Sequence, residues 1–274
     1  MKNIKIGEKK STFGFSFIPF YFLFKKELAR FYKVLGQTIL TPVVNSTLYL
    51  LIFGVSLGTA IRLEEGIPYL HFLAPGLMMM TGLNNAYQNS SSSIVSSKFY
   101  GDLSDLKTLP LKSLDIVFAF ALAGLCRGVI VGALTLLVAE VFSVFSTGQW
   151  IPMQHPFLMF FFLSMGCFMF SCIGLSVGLR ASNFERVNAI GSFVLLPLLY
   201  LGGVFYRLDQ LHPFWKMATR FNPLYYLVSG NRFAFLGIED IPILSCFFVS
   251  CFFFFFFLFI AHLSVTKGKF TRWS

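Results

Sequence analysis

Six apolar stretches, each near the roughly twenty residues that a helix needs to cross the hydrocarbon of a bilayer, limit what this chain can fold into. They fall at about 38–61, 71–95, 115–145, 157–179, 189–205 and 243–263. Between them lie short segments carrying most of the basic residues. Only 12% of the 274 residues are charged, about half the roughly 25% of a soluble domain. The pattern predicts an all-α integral membrane protein with six transmembrane helices. The excess of 22 Lys and Arg over 12 Asp and Glu flanks the apolar stretches, so it reads as membrane orientation rather than nucleic-acid binding.

Loop charge predicts that orientation. Sixteen Lys and Arg lie in the N-terminal segment, the 96–114 and 180–188 loops and the tail, against five in the opposite loops. The positive-inside rule then places both termini in the cytoplasm and the 206–240 segment outside. The N-terminus reads as retained, because the apolar run after its basic start leads directly into charged residues without a small-x-small cleavage pattern. A single domain is expected: a cytoplasmic or interfacial segment 1–37, a six-helix body 38–263 and a cytoplasmic tail 264–274.

Three segments outside the spans carry pattern of their own. From Phe24 to Leu35 the apolar residues Phe24, Leu28, Phe31, Tyr32 and Leu35 share one helical face, and Lys25, Lys26, Glu27, Arg30 and Lys33 fill the opposite arc, which predicts an amphipathic helix lying in the interface. In the 96–114 loop, Gly101 and Asp102 can open a short helix edged by Leu103 and Leu106 and ended by Pro110. That helix suits either a docking knob for a soluble partner or a fold-back on the membrane surface. Between Leu195 and Gly237, aromatic residues alternate with Arg207, Lys216, Arg220 and Arg232, a mixture suited to the membrane–water boundary, where basic side chains snorkel. Pro197 and the Gly202–Gly203 pair break the fifth span as it enters this segment.

Candidates for chemistry are few. No phosphate-binding loop, H-E-x-x-H or G-x-S-x-G motif occurs, and His71, His155, His212 and His262 have no metal-ligand spacing. No catalytic residue and no metal site is expected on this chain. Cys126, Cys167, Cys172, Cys246 and Cys251 all lie in apolar segments and read as packing residues. Arg127 and Glu140 are ionisable groups inside the third span. A central Arg costs roughly 2.5–3.5 kcal/mol on insertion scales, so Arg127 either anchors neighbouring helices or lines a path. Thirteen residues put Glu140 about 20 Å further along the same helix, near the outer interface. Glycines recur every fourth residue at Gly124, Gly128 and Gly132, at Gly54 and Gly58, and at Gly174 and Gly178, which favours close helix packing within the chain, with packing between chains as the alternative.

Together these motifs resemble the ABC-2 type exporter permeases, the membrane subunits of bacterial ATP-driven transporters. The resemblance rests on Pro75-Gly76-Leu77-Met78-Met79, on the loop from Ser97-Lys98-Phe99 to Leu109-Pro110, and on Arg127-Gly128. It rests above all on the ordered set Pro197, Tyr200, Gly202, Gly203, Phe205, Tyr206, Pro213, Phe214, Trp215, Asn222, Pro223, Tyr226 and Arg232. It implies a permease dimer, with the same or a second permease chain, docked on separate ATPase subunits that hold ATP and Mg, with no cofactor on this chain. The docking residues would be Asp102, Leu103, Asp105, Leu106, Lys107 and Pro110, helped by the amphipathic helix. The segment between the last two spans would be a re-entrant outer gate, and the substrate amphipathic, lipid-linked or drug-like. A partner-independent secondary carrier is the alternative, but it would need more intramembrane carboxylates or histidines than Glu140. A non-transporting membrane anchor would need neither Arg127 nor the re-entrant segment.

Overall fold

In the computed structural model the chain is described over residues 16–56, 66–102, 111–208 and 211–268, and every regular element among them is a helix. Helix α1 (Phe17–Lys33) bends at Val34 into α2 (Leu35–Tyr49), which widens into a π-type turn over Leu50–Ser56. Then come α3 (Tyr69–Tyr100), α4 (Ser113–Thr147) and α5 (Pro156–Arg180). Helix α6 (Phe184–Ile190) continues through a π-type stretch, Gly191–Leu195, into α7 (Leu196–Tyr200). Two short helices follow, α8 (Pro213–Arg220) and α9 (Pro223–Leu236), before α10 (Ile243–Lys267).

Helices α4, α5 and α10 are each long and apolar enough to cross a membrane, and the pair α1–α2, bent by 62°, makes a possible fourth. Helix α3 has the length, but its second half is rich in Asn, Gln and Ser, and α6–α7 is short and broken. The fifth apolar stretch, expected to be helical to residue 205, stops at Tyr200. Gly203 turns the chain there at φ 77°, and a Cβ on Gly202 would lie 2.9 Å from the Leu199 carbonyl.

The bundle is built around α3, which packs most extensively on α4 and α5 and is buried on nearly all sides from Tyr69 to Val95. Its neighbours approach closely because they present glycine. A Cβ on Gly128 would sit 2.7 Å from the Gly82 carbonyl, one on Gly132 3.3 Å from the Met78 carbonyl, and one on Gly174 would overlap the Tyr87 carbonyl. The four-residue glycine stripes on α4 and α5 therefore serve packing within the chain, where dispersion and close backbone contact replace the hydrophobic drive that lipid cannot supply. Gly58 lies outside the described residues.

Helix α10 spreads its phenylalanines over two faces. Phe252, Phe255 and Phe256 point outward, whereas Phe253, Phe254 and Phe257 pack inward, Phe254 with its centroid 4.8 Å from that of Phe168 on α5.

Helix α1 departs from the expected arc of charge. Phe31 is buried and Phe24 and Leu28 are partly so, but Tyr32 is exposed, while Glu27 is buried and Arg30 half-buried on the bundle side. The reason is polar pairing. Glu27 accepts a hydrogen bond from Ser93 Oγ at 2.6 Å and pairs with Arg30 at 3.3 Å, so α1 turns a charged edge onto the polar half of α3.

Candidate functional site

Two regions gather the candidate residues. The first is the segment after α7. Tyr200 Oη and Tyr49 Oη lie 3.0 Å apart, and the Phe205 ring packs between Tyr49, Phe53 and Tyr200. The Phe205 carbonyl accepts from Tyr69 Oη at 2.8 Å, and a Cβ on Gly76 would meet the Val204 backbone at 3.0 Å. Asn222 caps α9 through Leu224 N–H and donates to the Leu198 carbonyl at 2.7 Å, tying the start of α9 back to α7. Pro223 stands in the first turn of α9, where a missing N–H costs nothing, whereas Pro197 follows the π-type stretch inside the continuing α6–α7 run.

Arg232 does not snorkel, as the boundary composition predicts. It is fully buried. Its guanidinium donates to Asp240 at 2.9 Å and to the Gly203 carbonyl at 2.7 Å, and lies 3.7 Å from the centre of the Phe72 ring. Asp240, which the sequence patterns did not single out, also pairs with Arg207 at 3.5 Å. Carboxylate, carbonyl and aromatic face together replace the water that a boundary arginine would otherwise seek. Asn231 beside it donates to the Pro75 carbonyl at 3.0 Å, so α9 is pinned to α3. By contrast α8 shows Phe214, Trp215 and Met217 outward, Tyr206 is half-buried, and Tyr226 Oη reaches only the Arg220 carbonyl.

The second region is a polar cleft along α3. A cavity of about 690 Å³ opens between α2, α3, α4 and α7, with Asn84, Asn85, Gln88, Ser92, Arg30 and Arg127 on its wall. A second, of about 290 Å³, lies on the α6–α7 side and shares Asn84, Gln88, Ser92 and Arg127 with the first. Arg127 donates to Asn85 Oδ1 at 3.2 Å, and Arg30 to the Asn89 carbonyl at 2.8 Å. A chain of hydroxyls, Thr81 to Thr135 at 2.8 Å and Thr135 to Ser46 at 3.2 Å, joins α3, α4 and α2 beside the cavity. Thr81, Asn84, Asn85, Gln88 and Ser92 recur at helical spacing inside the second apolar stretch. That polar stripe was the available signal, and a count of apolar residues conceals it.

Arg127 bridges α4 to α3 through Asn85 and stands on the cavity wall. Glu140 is separate from it. It accepts from the Ile151 N–H at 3.1 Å and holds the turn after α4, outside both cavities.

Of the predicted docking residues only Asp102 is described, and it is exposed. Leu103, Asp105, Leu106, Lys107 and Pro110 lie outside the described residues. The loop's two feet are firmly tied. Before it, buried Lys98 donates to the carbonyls of Gly178 and Ala181, both at 2.9 Å, and to that of Leu179, closing the C-terminal end of α5. After it, buried Asp115 accepts from Lys112 N–H at 3.0 Å and from Ser16 N–H at 2.7 Å, joining the first turn of α4 to the start of α1.

The pattern of the ABC-2 type transporter family matches residues 19–236, a range that takes in the polar cleft and the segment after α7. The chain belongs to that family. It is 35% identical over 247 residues to the inner membrane transport permease YadH of Escherichia coli (strain K12), covering 90% of this chain and 94% of that protein. It is also similar to the putative transport permease ycf38 of Cyanophora paradoxa, at 25% identity over 86% of this chain and 82% of that protein. Nodulation protein J of Rhizobium leguminosarum bv. trifolii is 22% identical over 75% of this chain and 76% of that protein. An ABC-2 chain is a transporter membrane subunit, and the apolar helices fit a multi-pass membrane protein.

Proposed function

We propose that this chain is the permease subunit of an ATP-binding-cassette exporter in a bacterial inner membrane. It moves an amphipathic, lipid-linked or drug-like substrate outward with energy from a separate ATPase. In this reading α2, α3, α4, α5, α6–α7 and α10 are the six spans, α1 lies in the cytoplasmic interface, both termini are cytoplasmic, and α8–α9 re-enter from the outer face as a gate. Two copies of the permease and two ATPase subunits form the working unit. The supporting observation is the polar cleft on α3. A continuous wall of Asn, Gln, Ser and Arg inside an apolar bundle is costly unless something wet or polar passes it.

Coupling follows from the feet of the 103–110 segment. Closure of the ATPase pair around ATP pushes on this loop. Lys98 passes the push to α5, and Asp115 passes it to α1, whose Glu27 and Arg30 face the cleft-bearing half of α3. The outer segment opens as Arg232 and Asn231 carry movement of α3 into α9.

The test is copurification followed by reconstitution. An ATPase carrying a phosphate-binding loop is expected to stay bound in detergent, and Leu103→Asp with Leu106→Asp should abolish that association. ATP-dependent export should then appear in proteoliposomes. Persistent absence of any bound ATPase would sink the reading.

A further inference from the structure

We propose that Arg30 and Arg127 form a site for a phosphate group in the larger cavity, and that the substrate is an anionic amphiphile whose headgroup they hold. This rests on the permease reading, because it takes the cleft as the substrate's route.

Both arginines lie on the wall of the same 690 Å³ cavity. Each is fixed along one edge to the same stripe of α3, Arg127 through Asn85 and Arg30 through Asn89. Asn85 and Asn89 are one helical turn apart, a rise of roughly 6 Å, so the two guanidiniums are offered at neighbouring heights with donors to spare. Arg127 Nε is buried and has no hydrogen-bond partner. Charge is also unbalanced. Glu27 is already taken by Arg30 and Ser93 and is not on the cavity wall, while Arg127 has no carboxylate partner among the described residues and, besides its burial, feels the repulsion of Arg30. A tetrahedral oxyanion between the two arginines would relieve that repulsion and use the guanidinium edges bidentately, the geometry at which Arg excels over Lys. Gln88 and Ser92 add neutral hydrogen-bonding groups, and Met80, Pro42 and Leu196 give the same cavity an apolar side for a chain. A lipid headgroup and free phosphate share this chemistry of recognition.

Binding to the full chain in a nonionic detergent tests this by titration calorimetry. A lysophosphatidic acid is expected to bind at least tenfold more tightly than a monoacylglycerol of the same chain length. Gln88→Glu, which places a carboxylate on an exposed cavity position without removing either arginine, should erase the preference. Arg127→Gln should do the same, Arg127→Lys should keep part of it, and Glu140→Gln should leave it unchanged. Competition by millimolar inorganic phosphate assigns the site to the anion alone, and its failure to compete assigns it to the intact amphiphile. Equal binding of the two amphiphiles, or an unaltered preference in Gln88→Glu, overturns the proposal. The two readings separate cleanly. An ATPase that copurifies without any anion preference removes the site and leaves the permease, whereas anion preference without an ATPase does the reverse.

Discussion

At the scale of single residues, the buried charges differ in what holds them. Arg232 is held by Asp240, the Gly203 carbonyl and the Phe72 ring, and Asp240 is its carboxylate partner among the described residues. Removing one member of a buried pair typically costs about 3–5 kcal/mol, because the other charge is left uncompensated. Asp240→Asn should therefore lower the thermal midpoint of the detergent-solubilised protein sharply. Arg207→Gln, which removes the longer contact at 3.5 Å, should lower it less. Lys98 is the mirror case, a cation whose partners among the described residues are all carbonyls. Lys98→Met strips the end of α5 of its donor at a cost of roughly 1–3 kcal/mol per unsatisfied buried group. Hydrogen exchange in the last turn of α5 should accelerate before the rest of the bundle does, and uniform exchange would argue against that local role.

Helix against helix, the decisive contacts are backbone to backbone. Gly128 faces both the Gly82 carbonyl at 2.7 Å and Cys167 Sγ at 2.6 Å from where a Cβ would sit. Gly128→Leu overpacks the α3–α4 seam and is expected to cost at least about 1–3 kcal/mol. Gly36→Ala on α2, where nothing lies within 4 Å, should leave the thermal midpoint unchanged or slightly raised. These seams were partly legible, because the glycine spacing and the apolar runs are composition-level signals that survive without coordinates. The ends of α4, α5 and α10 fall within a few residues of the expected spans for the same reason. What stayed hidden depends on facing. Arg232 looked like a boundary residue because its partners, Asp240, Gly203 and Phe72, are 8, 29 and 160 positions away. Glu27 and Arg30 looked solvated because the groups that receive them, Ser93 and Asn89, lie on another helix. The polar stripe of α3 was overlooked because an apolar count averages around the helix and discards direction.

For the whole molecule, orientation is the most exposed of the proposals. A single cysteine introduced at Ser274 should react with an impermeant maleimide only in inverted membrane vesicles, and one at Lys216 only in right-side-out cells. The opposite labelling would reverse inside and outside together. A final consequence comes from α3 itself. Its second half, with Asn84, Asn85, Gln88, Asn89 and four consecutive serines, draws several partners from α1, α4 and α5: Ser93 donates to Glu27, Ser90 to the Phe120 carbonyl, and Asn85 accepts from Arg127. Lipid offers no such groups. During synthesis, then, the helix at the centre of the finished bundle is the one least able to enter the bilayer on its own. The partners that α4 and α5 supply follow it in the sequence, so its settled place in the bundle depends on segments made after it.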